Sequence, residues 1–300
     1  MSKRTLRAAW LALILAIAPL AWGESPSAPT WASYAASQYE VVPNVTYLVA
    51  GGREVKLDIY KRRNATALQP TMIYFHGGGW VRSSKESVQM ALIPWLEMGW
   101  NVVNVEYRLG PVAVAPAAVE DALCALRFIA TEAKTYGVDA NQLVVSGESS
   151  GAHLALTTGM IPESAGLGRE CQGVPLPRVA AIIEWYGFWD VGDLLDGANR
   201  KPYAVQWLSS AQNREEVARR VSPMSYVRGG LPPVLAIQGE LDTTAVQHSM
   251  RLDEALTKAG VQHELVTVPH GGHGNFPAEE RAKIYVKIRE FLAKNSLGKT

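Results

Sequence analysis

Eight short apolar runs, at residues 45–48, 55–60, 71–75, 101–105, 143–146, 180–185, 234–238 and 264–268, recur along this 300-residue chain. The interior runs, such as Thr71-Met72-Ile73-Tyr74-Phe75 and Leu143-Val144-Val145, do not alternate polar with apolar residues. A strand with one wet face alternates, so these runs belong in a parallel sheet covered on both faces. Helical periodicity fills the intervals, most clearly at 86–98, 118–136, 150–160, 244–259 and 277–294. The last stretch opens on Pro277 with Glu279 and Glu280 close behind, then repeats Ile284, Ile288, Phe291 and Leu292 along one face. Gly260 stands where the preceding helix should stop. Alternating β and α after a leading hairpin implies an α/β fold, an eight-stranded, mostly parallel sheet with helices on both faces. One such domain, from about residue 38 to the end, accounts for the length. The interval 190–221 breaks the alternation with Trp207 and a charged stretch at Glu215, Glu216, Arg219 and Arg220. It reads as a small insertion over the strand ends, a lid or pocket wall, against the plainer reading of a structural excursion.

The first residues follow a different logic. Lys3, Arg4 and Arg7 precede an apolar run over 8–20, and Ala21-Trp22-Gly23 places small residues at its exit. This pattern reads as a secretory signal over 1–23, then a Pro/Ser/Ala-rich linker over 24–37; an uncleaved anchor is the alternative. The run is too short for a comfortable membrane span, and Pro19 lies inside it. A secreted or periplasmic protein without stable membrane association is therefore expected. Removing those three cations tips the balance of 29 basic and 28 acidic residues slightly negative, which leaves no basic field for nucleic acid. Cys124 and Cys171 are the two cysteines. The stripe Val119, Ala122, Leu123, Leu126, Ile129, Ala130 and Ala133 leaves Cys124 roughly opposite, facing outward. An outward thiol is disfavoured in an oxidising compartment; a disulfide with Cys171, or two thiols shielded by loops, both remain open.

The chemistry concentrates at strand ends. The run over 143–146 leads directly into Gly147-Glu148-Ser149-Ser150-Gly151, then into the helical His153-Leu154-Ala155-Leu156. Glycine two residues either side of a serine permits a sharp strand-to-helix turn that lifts the hydroxyl out of the sheet. Ser149 alone has that register; an ordinary turn with a capping serine is the bland reading. A serine hydroxyl needs a base, and the base needs a carboxylate to orient it. Two later strand ends supply candidates: Glu240 and Asp242 after 234–238, and His270 and His273 after 264–268. Within each loop the residues leave the choice open. His76-Gly77-Gly78-Gly79-Trp80, after the run 71–75, can bring backbone N–H groups close to a reacting carbonyl, and Ser150 adds another from the helix start. Phosphate cradling fails for want of a Gly-Lys-Ser/Thr ending.

Taken in order, His76–Trp80, Glu106-Tyr107-Arg108-Leu109, Gly147–Gly151, Gly239–Asp242 and the His273 loop resemble the HGGG-type branch of the α/β-hydrolase superfamily. That branch is the hormone-sensitive-lipase-like esterases, and the neighbouring feruloyl-esterase-like and acetyl-esterase-like group is the nearest in pattern. The resemblance runs from about Val41 to the C-terminus. It implies Ser149 as nucleophile, Asp242 as acid and His273 as base. It also implies Gly78, Gly79 and the Ser150 amide as oxyanion donors, with Gly77 shaping the turn. The chain departs from the family at Glu148 and Ser150, where Asp and Ala are commoner, and at Gln238, where histidine is frequent. The stretch Gly110-Pro111-Val112-Ala113-Val114-Ala115-Pro116 lacks the usual acidic and aromatic residues.

The expected reaction is hydrolysis of a small-molecule ester through an acyl-enzyme, with no metal or organic cofactor. Trp80, Tyr186 and Trp207 are the candidate substrate-contacting aromatics, pointing to short-chain, aryl or sugar-bearing esters. An amidase, arylformamidase or peptidase would use the same machinery. A binding protein on this scaffold that has lost catalysis is the rival from another class.

Overall fold

The computed structural model describes residues 37–298 apart from 172 and 210–212. The expected signal, and all of the linker but Ser37, lie outside the described residues. Eight strands form one sheet: β1 (Tyr39–Ala50), β2 (Arg53–Arg62), β3 (Gln69–Phe75), β4 (Asn101–Val105), β5 (Val138–Glu148), β6 (Ala181–Trp185), β7 (Val234–Gly239) and β8 (His263–Val268). Their spatial order is β1-β2-β4-β3-β5-β6-β7-β8. β1 and β2 form the leading antiparallel hairpin, β2 pairs antiparallel with β4, and every later pairing is parallel. This is the eight-stranded, mostly parallel α/β architecture expected from the apolar runs.

The absence of polar alternation has a direct structural counterpart. Ile73 and Phe75 of β3 enter one core, with Val103, Val105 and Val145. Met72 and Tyr74, pointing the other way, enter a second core with Val102 and Val144. Successive residues of a strand face opposite sides, so a sheet buried on both sides must be apolar at every position. Helices α2 (Ala117–Thr131), α3 (Ser150–Met160) and α6 (Thr243–Lys258) supply the first core, and α1 (Gln89–Glu97) and α7 (Ala278–Lys294) the second.

Several boundaries differ from expectation. The helix expected over 86–98 is split into a 3-10 turn at Lys85–Val88 and α1, which carries Pro94 inside it. The helix expected to reach residue 136 ends at Thr131. The described residues of the interval 190–221 form short 3-10 turns and two short helices, α4 (Pro202–Leu208) and α5 (Arg214–Val221). Cys124 does not face solvent. It is 1% exposed and bonded to Cys171, whose segment (Arg169–Cys171) packs on α2 and covers the face that the stripe left open. Arg108 strengthens the same corner through a forked ion pair with Asp121 and a second contact to Glu170.

Candidate active site

The site is assembled at the carboxyl ends of parallel strands, where an open α/β sheet leaves a crevice for a ligand. Ser149 sits between β5 and α3 with φ 53° and ψ −119°, a conformation that L residues adopt rarely and that a non-glycine holds at a cost of about 1–3 kcal/mol. The flanking glycines explain how the turn fits. A Cβ on Gly151 would lie 2.0 Å from the Phe75 carbonyl oxygen, and one on Gly147 would lie 2.5 Å from the Gly151 carbonyl. No side chain fits at either position, because the elbow presses against the end of β3.

That contact brings the glycine loop to the serine. A Cβ on Gly77 would stand 3.1 Å from the Glu148 carbonyl oxygen and 3.5 Å from Ser149 Cβ. Gly78 and Gly79 follow with φ of 121° and 64°, closing a turn in which the Gly78 carbonyl accepts from the amides of Val81 and Arg82. Among the described residues, the N–H groups of Gly78, Gly79 and Ser150 donate to no acceptor. His76 and Tyr107 stack beneath the loop at 4.3 Å, and the Tyr107 hydroxyl donates to the His76 carbonyl.

Asp242 and His273 meet above the elbow. His273 Nδ1 lies 2.5 Å from Asp242 Oδ2, and His273 Nε2 lies 2.8 Å from Ser149 Oγ. The Nδ1–H tautomer satisfies both contacts, donating to the carboxylate and accepting from the hydroxyl. Burial pushes the Asp242 carboxyl up. The hydrogen bond and charge of His273, with the Ala245 amide, outweigh this and hold Asp242 below its ordinary value. The competing residues lie apart: Glu240 accepts from the backbone amide of His270, and both are exposed. Gln238, at the position that departs from the family pattern, is buried; it donates to the Gly239 carbonyl and accepts from Ser249.

The aromatic candidates divide. Tyr186 touches the histidine, its ring 4.9 Å from that of His273, and its hydroxyl donates to Glu148 of the elbow at 2.7 Å. It is 5% exposed, so it packs and orients more than it lines a pocket. Trp80 and Trp207 are corrections. Both are 0% exposed and stack on each other at 4.4 Å inside the first core, so neither offers surface to a ligand. Trp80 Nε1 donates to His153 Nδ1, and His153 Nε2 donates to the Val221 carbonyl at the end of the insertion. Burial pushes His153 down to about 3, so it stays neutral.

Four site neighbours were not singled out in the sequence. Phe188 stacks on His273 at 5.8 Å, and Tyr203 of α4 rests on Gly79. Burial and the Asp242 charge push the Tyr203 phenol up to about 12. His248, buried under the turn after β6, accepts from the Trp189 amide and contacts Asp193 of the insertion. Glu184 is an acid in the middle of apolar β6, fully buried, with Oε2 accepting from the Gly187 amide. Burial pushes it up to about 8, above its ordinary 4.5. An unfolded chain therefore releases this proton first, and the contribution of Glu184 to folded stability falls as pH rises from 4.5 towards 8, then levels. Glu184→Gln keeps the acceptor and removes the titration. Its melting temperature relative to wild type should climb steadily between those two pH values. A difference that stays constant across that range contradicts the assignment.

Among the described residues, no group of three or more His, Cys, Asp or Glu side chains could hold a metal ion. A cleft of about 690 Å³ opens at the amino ends of β3, β4 and β5, beside Gln69, Asn101 and Gly137, the edge opposite Ser149. It takes no part in this arrangement.

The family model BD-FAE matches residues 57–256, two thirds of the chain. The chain belongs to the BD-FAE family. The matched span of this BD-FAE member includes the glycine loop, the elbow and Asp242, and stops short of His273. The sequence is 27% identical over 255 residues to esterase LipQ of Mycobacterium tuberculosis, covering 81% of this chain and 60% of that protein. It is 26% identical to esterase LipC of the same organism, covering 73% and 56%. The chain thus spans less than two thirds of the length of these relatives. Among solved structures, the esterase Est2 of Thermogutta terrifontis is similar at a TM-score of 0.70 and 26% identity, covering 86% of this chain and 94% of that one. The BD-FAE member therefore sits within the α/β-hydrolase carboxylesterase superfamily.

Proposed function

We propose that this protein is an exported serine carboxylesterase acting on short-chain, aryl or carbohydrate-linked esters. The observation that carries the reading is the unbroken chain from Ser149 Oγ through His273 to Asp242, at the carboxyl edge of the sheet and beside a glycine loop with free N–H groups. In this mechanism His273 takes the serine proton as Oγ attacks the ester carbonyl, and Asp242 holds the imidazole tautomer. The amides of Gly78, Gly79 and Ser150 receive the negative oxygen. Collapse expels the alcohol, which takes the proton from His273, and water cleaves the acyl-enzyme by the same route.

The short-chain preference draws on the site's surroundings. Among the described residues, Trp80, Trp207 and Phe188 are buried beside the loop and fill the space there with side chains. Est2, the structural relative, was solved with propionate and with butyrate bound. Export draws support from the Cys124–Cys171 disulfide, which suits an oxidising compartment. Assays with p-nitrophenyl esters from acetyl to dodecanoyl, alongside feruloyl and acetyl-sugar esters, test the reading. The value of kcat/KM should peak between acetyl and butyryl and fall steeply by about eight carbons. A maximum at dodecanoyl with activation at an oil–water interface would overturn the short-chain assignment. Cleavage of amides without esters would overturn the esterase reading itself.

A further inference from the structure

We propose that Tyr203 is the residue that sets acyl-chain length, because its ring caps an aromatic floor beside the oxyanion glycines. The inference rests on the ester-hydrolase reading above and deepens it. Tyr203 is the second residue of α4, and it reaches across from the insertion to the glycine loop. A Cβ on Gly79 would lie 2.7 Å from Tyr203 Cγ and 3.1 Å from its Cβ, so the ring rests directly on the Gly79 backbone. Its centroid lies 6.1 Å from that of Trp80 and 6.4 Å from that of Phe188. Both of those rings are buried, at 0% and 2% exposure, whereas Tyr203 remains partly open to solvent. Tyr203 is therefore the outermost ring of the group, the one a substrate meets first.

The direction of the reaction assigns this wall to the acyl side. His273 must hand its proton to the departing oxygen, so the alcohol portion lies over the histidine. The carbonyl oxygen points to the glycine amides. The acyl chain then takes the space that remains beside Gly79, and Tyr203 occupies it. Each methylene that finds an apolar wall adds to transition-state binding, and each one that meets a filled space is rejected. Truncating Tyr203 would expose Trp80 and Phe188 as a ready-made apolar surface for additional carbons. The Tyr203 hydroxyl makes no hydrogen bond to the described residues, so the ring rather than the oxygen carries the effect.

The test compares kcat/KM for octanoyl and acetyl p-nitrophenyl esters, which share a leaving group, in wild type, Tyr203→Phe, Tyr203→Leu and Tyr203→Ala. The octanoyl-to-acetyl ratio should rise by about tenfold or more in the alanine variant, by less in the leucine variant, and stay level in the phenylalanine variant. The gain should come mainly through a lower octanoyl KM relative to the acetyl KM of the same variant; a loosened fold would lower kcat for every ester alike and leave the ratio where it was. Should the alanine variant fail to fold, the leucine variant carries the comparison. An unchanged ratio in the truncated variants overturns the proposal, as does a shift in the phenylalanine variant as large as in alanine. A shift that follows the length of the alcohol in acetate esters, and not the acyl chain, also overturns it. Wild type that turns over no ester at all defeats the parent reading instead, a result distinct from any of these.

Discussion

Replacing Ser149 with alanine should lower kcat by at least about a thousandfold while leaving the fold intact. Oγ is the only side-chain atom lost, and its partner among the described residues is His273 Nε2. The Ser149 side chain does not cap α3, so the helix start loses nothing. The Ser149 amide still donates to the Trp185 carbonyl, and its carbonyl still accepts from the His153 amide. Alanine keeps the Cβ that already tolerates a φ of 53°. Steady-state kinetics on an ester substrate, with a melting curve beside them, decide the matter. Turnover near wild type, in material free of other esterases, would remove Ser149 from the mechanism.

The second large effect is expected at the acid. Asp242→Asn should reduce kcat by about ten-thousandfold, the scale at which a misplaced histidine tautomer acts. The carboxylate accepts the Nδ1 proton of His273; an amide can present its NH₂ instead and turn the ring to the wrong tautomer. Geometry would change little, because asparagine can still accept the Ala245 amide as a helix cap. Glu240→Gln serves as the matched control. Among the described residues its carboxylate accepts a hydrogen bond from the His270 amide and none from the triad, so its kcat should stay within a few-fold of wild type. A larger loss at Glu240 than at Asp242 would reverse the assignment within this loop.

The sheet was legible because burial on both faces removes every polar position from a strand, and runs such as 71–75 carry that mark without help from neighbours. The ends were less legible. β5 begins at Val138, five residues before its apolar run, because Val138 pairs with Gln69 of β3 across a register shift, and Asp139, Asn141 and Gln142 fall in the irregularity between that pair and Thr71–Leu143, which a local pattern cannot see. The serine, the acids and the histidines could be placed because each follows a strand, in chain order, at one edge of the sheet. The choice between Asp242 and Glu240 needed family resemblance, since two acids two residues apart look alike until a loop is folded. Trp80 and Trp207 misled for a related reason: an aromatic residue in a stretch without clear periodicity looks the same whether it lines a pocket or fills a core. Tyr203 carried no signal, lying in an irregular interval just after Pro202. Glu184 did carry one, an acid inside Ala181-Ile182-Ile183-Glu184-Trp185, and a strand buried on both faces makes such an acid a residue to question. Cys124 shows the limit of a helical wheel, which assigns an outer face without knowing which loop returns to cover it.

The His153 bridge has a consequence for motion. Its two ring nitrogens join the Trp80 indole, on the glycine loop, to the Val221 carbonyl, at the end of the insertion, and His153 itself stands one turn into the helix that begins at the nucleophile. Lifting the insertion away would carry the Val221 carbonyl off and strand the His153 Nε2–H donor in an apolar interior, at a penalty of about 1–3 kcal/mol. The two hydrogen bonds of His153 thus tie the end of the insertion, the glycine loop and the helix of the elbow to one another, a coupling that opposes their opening separately. Swinging the insertion aside at Val221 therefore works against a buried hydrogen bond one turn along the helix from Ser149.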